Sequence, residues 1–158
     1  MSKNKKPPER ITQAQLDTAL RRHRFFTIGK PGGARAVFKF ADLSGLDFRG
    51  ADMSGADFTG SNLSGCNLKR GVFSGVAFYG CNFDNANLEW ASFSRADMRG
   101  ATFENAKMDG ADLETADLRE GKVLSTKHIQ PAPVKQAATI LDYSEKNIEL
   151  CQKEKPEN

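Results

Sequence analysis

Residues 41–70 read Ala-Asp-Leu-Ser-Gly, Leu-Asp-Phe-Arg-Gly, Ala-Asp-Met-Ser-Gly, Ala-Asp-Phe-Thr-Gly, Ser-Asn-Leu-Ser-Gly, Cys-Asn-Leu-Lys-Arg. The same five-residue spacing extends in both directions, from Ala36 to Glu120, and gives 17 units. The third residue of every unit is large and apolar: eight Phe, six Leu and three Met between Phe38 and Leu118. The first residue is nearly always small, the second is usually Asp or Asn, and the fifth is often Gly. Neither a helix nor a strand has that period. A short fixed repeat marks a solenoid, in which each unit buries its apolar side chains only by stacking on its neighbours.

The pattern Ala-(Asp/Asn)-(Leu/Phe)-x-Gly resembles the pentapeptide-repeat family. That resemblance implies an all-β solenoid, a right-handed quadrilateral β-helix with four pentapeptides to a coil of twenty residues. Seventeen units then make about four coils, a rod roughly 20 Å long at the usual spacing between paired strands. If each unit forms one side of a square, the third and first residues point inward and the others outward. Sorting by twenties gives inward columns such as Phe38, Phe58, Phe78, Met98 and Leu118. Phe38, Phe48, Phe58, Phe73, Phe78, Phe83, Phe93 and Phe103 are therefore expected as structural core. Leu46 and Val76 place bulk in the small column and are expected to swell the coil locally.

The flanks differ in composition. Residues 1–11 read as a basic disordered arm, and residues 12–35 as an N-terminal helical cap and turn. The cap begins at a capping box, Thr12 with Gln15, and its helix is expected to reach about Arg24 with Leu16, Leu20 and His23 on one face. The rod occupies 36–120, and 121–158 reads as a C-terminal linker, helix and charged tail. Solenoid ends need covering, so the N-terminal helix is expected on the Phe38 end, while the C-terminal helix either caps or pairs with its twin. Monomer or C-terminal-helix homodimer both remain open.

Chemistry is sparse. Asp42, Asp47, Asp52 and Asp57 lie five apart, look out from different sides and cannot converge on an ion; ladders of hydrogen-bonded Asn and Asp between coils are expected instead. The glycines lack the Lys-Ser/Thr of a phosphate loop. His23 and His128 have no acid or Cys at ligand spacing. Cys66 and Cys81 take the small first position, and with Cys151 they make an odd, unpaired set. No catalytic residue, metal site or cofactor is expected. The N-terminus lacks a secretory apolar run and no stretch suits a membrane span, so a soluble cytoplasmic protein is expected. Residues 1–35 carry nine basic and two acidic residues, whereas 36–120 carry eight and thirteen.

Function is then a surface question. Two faces, one with Asp42, Ser44, Asn62 and Glu104 and one with Asp52, Ser54, Asp112 and Glu114, are read as carrying no cation. The candidate partner-binding surface is Arg49, Lys69, Arg70, Tyr79, Trp90 and Arg99. Trp90 replaces a turn Gly and either anchors a partner or packs beneath one of the caps folded over this corner. Arg70 one coil away is expected over its ring, worth about 0.5–1 kcal/mol if exposed. The expected function is a non-catalytic protein-binding or scaffold module with an unidentified protein partner; direct nucleic-acid binding and membrane association are not expected. One branch of the family mimics duplex DNA and binds type II topoisomerases, giving gyrase protection or inhibition. It resembles longer and more acidic rods than this one.

Overall fold

The computed structural model describes residues 6–121. Its one helix, α1, spans Gln13–Thr27 and starts at the capping box: the Thr12 N–H donates to Gln15 Oε1 (2.8 Å) and the Gln15 N–H to Thr12 Oγ1 (3.3 Å). It runs through Phe25 and Phe26, one turn beyond the expected end at Arg24, and Pro31-Gly32-Gly33 then leads into the first coil.

From Ala36 onward every second-position residue forms a parallel bridge with the residue twenty further on, from Val37–Asp57 and Asp42–Asn62 to Asp97–Asp117. Each coil is thus paired to the next on four sides by single-residue bridges. Side 1 holds residues 36–40 and each set twenty further on; sides 2, 3 and 4 begin at 41, 46 and 51. Backbone hydrogen bonds run between coils, as in Phe58 N–H to the Ala77 carbonyl (2.8 Å) and Gly60 N–H to the Tyr79 carbonyl (2.7 Å). A tight turn closes each corner, as in Ala56 N–H to the Met53 carbonyl (2.9 Å).

That corner explains the glycines. All 17 fifth positions from Phe40 to Glu120 have positive φ, nine of them Gly and eight not. Glycine enters the left-handed region without the penalty a Cβ brings. Arg70, Trp90 and Arg95 are held there by the pairing on either side, and Phe40 by the second coil alone, through its N–H to the Thr59 carbonyl (2.9 Å).

Inside, rings stack coil on coil. Phe58 and Phe78 have centroids 5.2 Å apart, Phe73 and Phe93 5.3 Å, and Phe83 and Phe103 5.2 Å. Seven of the eight predicted core phenylalanines are fully buried. The exception is Phe38, which is only part-buried against the core. Val76 fits the interior completely, and Leu46 packs part-buried at its margin. Polar residues in the small column bond the coil below: Ser61 Oγ donates to the Phe38 carbonyl, and the Cys66 and Cys81 thiols donate to Leu43 (3.0 Å) and Phe58 (2.9 Å). Burial pushes both thiols up to about 12, against backbone hydrogen bonds that favour the thiolate.

The N-terminal segment closes part of the first coil. Glu9–Ile11, expected to be disordered, instead pair with Asp42: its N–H donates to the Glu9 carbonyl (2.8 Å) and its carbonyl accepts from Ile11 (2.9 Å). The edge of a solenoid is an unpaired strand, so even a basic arm orders where it supplies the missing partner. Gln13 does the same with its side-chain amide, accepting from the Asp47 N–H (2.9 Å) and donating to the Asp47 carbonyl (3.0 Å). His23 is buried: its Nδ1 accepts from Ala36 N–H (3.0 Å), which leaves the proton on Nε2 to donate to the Ser54 carbonyl (3.0 Å). Leu16 fills the end of the shaft. The C-terminal linker, helix and tail expected over 121–158 lie, but for Gly121, outside the described residues.

Candidate interaction surface

The second-position Asp and Asn residues serve the fold. In eleven units the side chain accepts the N–H of the residue two further on, as in Asp42 with Ser44 and Asn87 with Glu89 (each 3.0 Å). This local turn, available to short polar side chains only, outweighs the expected ladders. Side-chain contacts between second positions of adjacent coils are fewer and longer, such as Asn62 Nδ2 to Asp42 Oδ1 (3.4 Å). No group of acids, His or Cys among the described residues could hold a metal ion.

The six candidate residues do not form one surface. Arg49, Lys69, Arg70 and Trp90 lie on side 3, while Tyr79 and Arg99 lie on side 1. The expected stacking of Arg70 on Trp90 does not form. The indole lies instead over Gly110, one coil towards the C-terminus, so closely that a Cβ on Gly110 would overlap its six-membered ring. The absent side chain at Gly110 leaves the room that decides the direction, and the ring stays 59% exposed. Phe40 lies over Gly60 in the same manner. Arg95, a corner residue of side 4, is a cation overlooked when only second and fourth positions are read.

On the rod a cation–π contact occurs on side 1, where Arg99 Cζ sits 5.5 Å from the centroid of Tyr79. The spacing of twenty that suggested Arg70–Trp90 pointed equally to this pair. Arg99 is also held by Asp97, Nε to Oδ1 and Nη2 to Oδ2 both 2.9 Å, and approaches Asp117 (3.8 Å). Arg119 pairs with Asp117 (2.6 Å) and Arg49 with Asp47 (2.7 Å). An Asp-x-Arg sequence in one unit thus forms a forked pair, and the guanidinium hydrogen bonds hold Asp47, Asp97 and Asp117 below the usual carboxylate range, with burial opposing. Lys69 is matched to Glu89 at 3.4 Å. Most of the candidate cations are therefore neutralised by their own rod, and exposed pairs of this kind add little stability.

A shallow cleft between α1 and side 3, lined by Gln13, Asp17, Leu20, Asp47, Phe48 and Arg49, holds no nucleophile–base pair. Larger apolar exposure lies elsewhere, at Phe26, Ile28, Val37 and Phe40 near the first coil. Only their position beside an unfinished coil marks them, and that depends on which sides the cap covers.

The family model for pentapeptide repeats matches eight copies over residues 34–70, 72–110 and 81–120, more than half of the chain. Among solved structures, the pentapeptide repeat protein Rfr23 from the cyanobacterium Cyanothece 51142 is similar at 26% identity with a TM-score of 0.54, over 54% of this chain and 58% of that one. HetL of Nostoc sp. strain PCC 7120, involved in heterocyst differentiation regulation, is 26% identical with a TM-score of 0.32, over 57% of this chain and 50% of its own. QnrB1, a plasmid-mediated fluoroquinolone resistance protein, is 20% identical with a TM-score of 0.43, over 77% and 70%. The chain spans about half to three fifths of the two cyanobacterial proteins. No curated protein matches it. No helix among the described residues is long and apolar enough to cross a membrane. With its repeat matched from Ala34 to Glu120 and its coils paired every twenty residues, the chain belongs to the pentapeptide repeat family, whose members are right-handed quadrilateral β-helices and generally non-catalytic structural or binding modules.

Proposed function

We propose that the protein is a non-catalytic, cytoplasmic binding or scaffold module whose rigid rod presents aromatic side chains to a protein partner. The observation that carries this reading is Trp90. It occupies a corner with φ 59°, where Gly is the favoured residue, and remains 59% exposed. A left-handed conformation costs a residue with a Cβ about 1–2 kcal/mol, so the backbone of that corner would be better served by Gly. Tyr79, 48% exposed on side 1, is the second such group. Trp, Tyr and Arg are the favoured anchors of protein interfaces. Because the two aromatics sit on different sides, the rod has two separate contact areas rather than one.

The test is affinity capture with the full chain beside Trp90→Gly and Tyr79→Thr. A specific partner is expected to be retained by the wild type and lost in one of the variants. Equal retention by all three would exclude both aromatics as anchors. The DNA-mimic alternative carries its own test. The acids on sides 2 and 4 are interrupted by Asn62, Ser74, Asn82 and Ser94, so supercoiling by gyrase should be neither inhibited nor protected at micromolar protein. A dose-dependent effect abolished by Asp112→Asn with Glu114→Gln would replace the scaffold reading.

A further inference from the structure

The cap completes the first coil unevenly. On side 2 the strand Glu9–Ile11 pairs with Asp42, and on side 3 the Gln13 amide pairs with Asp47. On side 4 His23 and Arg35 bond the carbonyls of Ser54 and Gly55 (3.0 and 2.6 Å). The Asp52 N–H and carbonyl, like the Ser44 and Arg49 carbonyls of sides 2 and 3, find no partner among the described residues. On side 1 only the Ala36 N–H is bonded, to His23. The Val37 N–H, the Val37 carbonyl and the Lys39 carbonyl find no partner among the described residues. They point away from the second coil, since Asp57 and Thr59 are reached through Ala36, Phe38 and Phe40 instead. One coil up, the equivalent groups of Asp57 and Thr59 are all bonded to side 1 of the first coil.

The side chains tell the same story. Val37 is 53% exposed and Phe40 66%, and Phe38 alone among the predicted core phenylalanines is not fully buried. Exposed Phe26 and Ile28 stand at the end of α1, which Ala34 and Ala36 tie to the start of side 1 through the Arg22 carbonyl and His23. The surroundings are basic. Residues 6–40 hold eight Lys and Arg against Glu9 and Asp17. Arg21, Arg22 and Arg24 are exposed, and none forms an ion pair within the described residues.

We propose that side 1 of the first coil is a docking edge for an extended, acidic–apolar segment of another protein, which adds as a parallel strand below Val37. The edge dictates the guest's form. Its backbone supplies the donors and acceptor that a preceding coil would have supplied, one apolar side chain stacks on Phe38, and its acids meet the arginines of α1. The charge excludes a second copy docking by the same end, because two basic ends repel. Nucleic acid would satisfy the arginines but neither the backbone edge nor Val37 and Phe40.

The experiment uses the full chain and a dye-labelled peptide in which glutamate alternates with valine and leucine, read by fluorescence anisotropy. A lysine-for-glutamate counterpart and labelled single-stranded and duplex DNA run beside it. Saturable binding of the acidic peptide is expected, at least about ten-fold tighter than the lysine peptide. Hydrogen exchange at the Val37 amide should slow on binding. Phe40→Asp and the double change Arg21→Glu, Arg24→Glu should each weaken binding about ten-fold, with circular dichroism unchanged, since all three residues are exposed. Trp90→Gly and Tyr79→Thr should leave it unaltered, which separates this edge from the aromatic surface. Indifference to peptide charge, insensitivity to the Phe40 and arginine variants, or tighter binding of DNA would overturn the proposal. Protection of the Val37 amide in the free protein, or binding through self-association, would do the same by assigning the edge to the chain's own segments or to a second copy.

Discussion

In the middle of the rod, Phe58, Phe73 and Phe78 are fully buried, and the bridges above and below them continue the same parallel pairing. At the first coil, Phe38 has the same place in its unit yet is covered on one side only, by Phe58 at 5.4 Å. The contrast separates what the repeat supplies from what a flank must add. A rod unit needs only its two neighbours, so its sequence can be nearly invariant. The first coil must borrow partners from whatever chain precedes it, and it obtains a strand, an amide, an imidazole and a guanidinium in place of a coil. Side 1 is where open backbone groups coincide with exposed apolar side chains, Val37 and Phe40.

The largest expected effect tests the rod against its end directly. Phe78→Ala should destabilise by roughly 3–5 kcal/mol through its cavity. Phe38→Ala should cost clearly less, because the ring is already part-exposed and water can fill the space. Urea unfolding of the two variants measures the difference, and equal losses would mean that the first coil is as closed as the rest.

His23→Ala comes next, because it leaves the Ala36 N–H and the Ser54 carbonyl without partners. Each orphaned group costs about 1–3 kcal/mol. The loss should be local, with faster amide exchange in the first coil and unchanged rates around Phe93 and Phe103. Uniform acceleration along the rod would show that cap and rod unfold as one unit.

Acid should act on the rod through its turns. The Ser44 hydrogen bonds hold Asp42 low, with burial opposing and Arg10 assisting, and Arg49, Arg99 and Arg119 hold Asp47, Asp97 and Asp117 low. A depressed folded-state value contributes stability above the unfolded value and loses it as pH falls through the folded one. The melting temperature should therefore be flat from about pH 7 to 5 and decline below about pH 4. Cys66 and Cys81, pushed up to about 12 by burial, should resist alkylation at pH 8 until the rod unfolds. Mass mapping of labelled peptides reads this directly.

The period made the rod legible because every third-position residue obeys one geometric demand, an inward side chain stacked on its counterpart twenty residues away. Phe58, Phe78 and Phe93 follow from that alone. The capping box located the start of α1 for an equally local reason. What escaped the sequence depends on contacts that no period encodes. Arg10 pairs with Asp42 because the edge is vacant, although its neighbours Lys5 and Lys6 make the segment look like a solvated arm. Arg70 and Tyr79 were both one coil from a plausible ring or cation. The room above Gly110 sends Trp90 away from Arg70, and the Asp97 fork, with Asp117 nearby, holds Arg99 over Tyr79.

The smallest effect concerns two aromatic–glycine pairs, Trp90 over Gly110 in the rod and Phe40 over Gly60 at its end. Gly110 has φ +69°, so Gly110→Ala meets a left-handed backbone and an overlapping indole together. The backbone part alone is worth about 1–2 kcal/mol, and displacement of the ring adds to it. Trp90→Gly removes the ring and relaxes its own corner at φ 59°, so its stability should stay within about 1 kcal/mol of wild type. In the double variant, Gly110→Ala should then cost only its backbone part. A double-mutant cycle of this kind isolates the contact between neighbouring side chains. The Phe40→Gly, Gly60→Ala cycle should give a coupling of the same sign at φ +70°. Additive costs at both places would mean that the rings merely rest on the rod and the glycines answer to the corner alone.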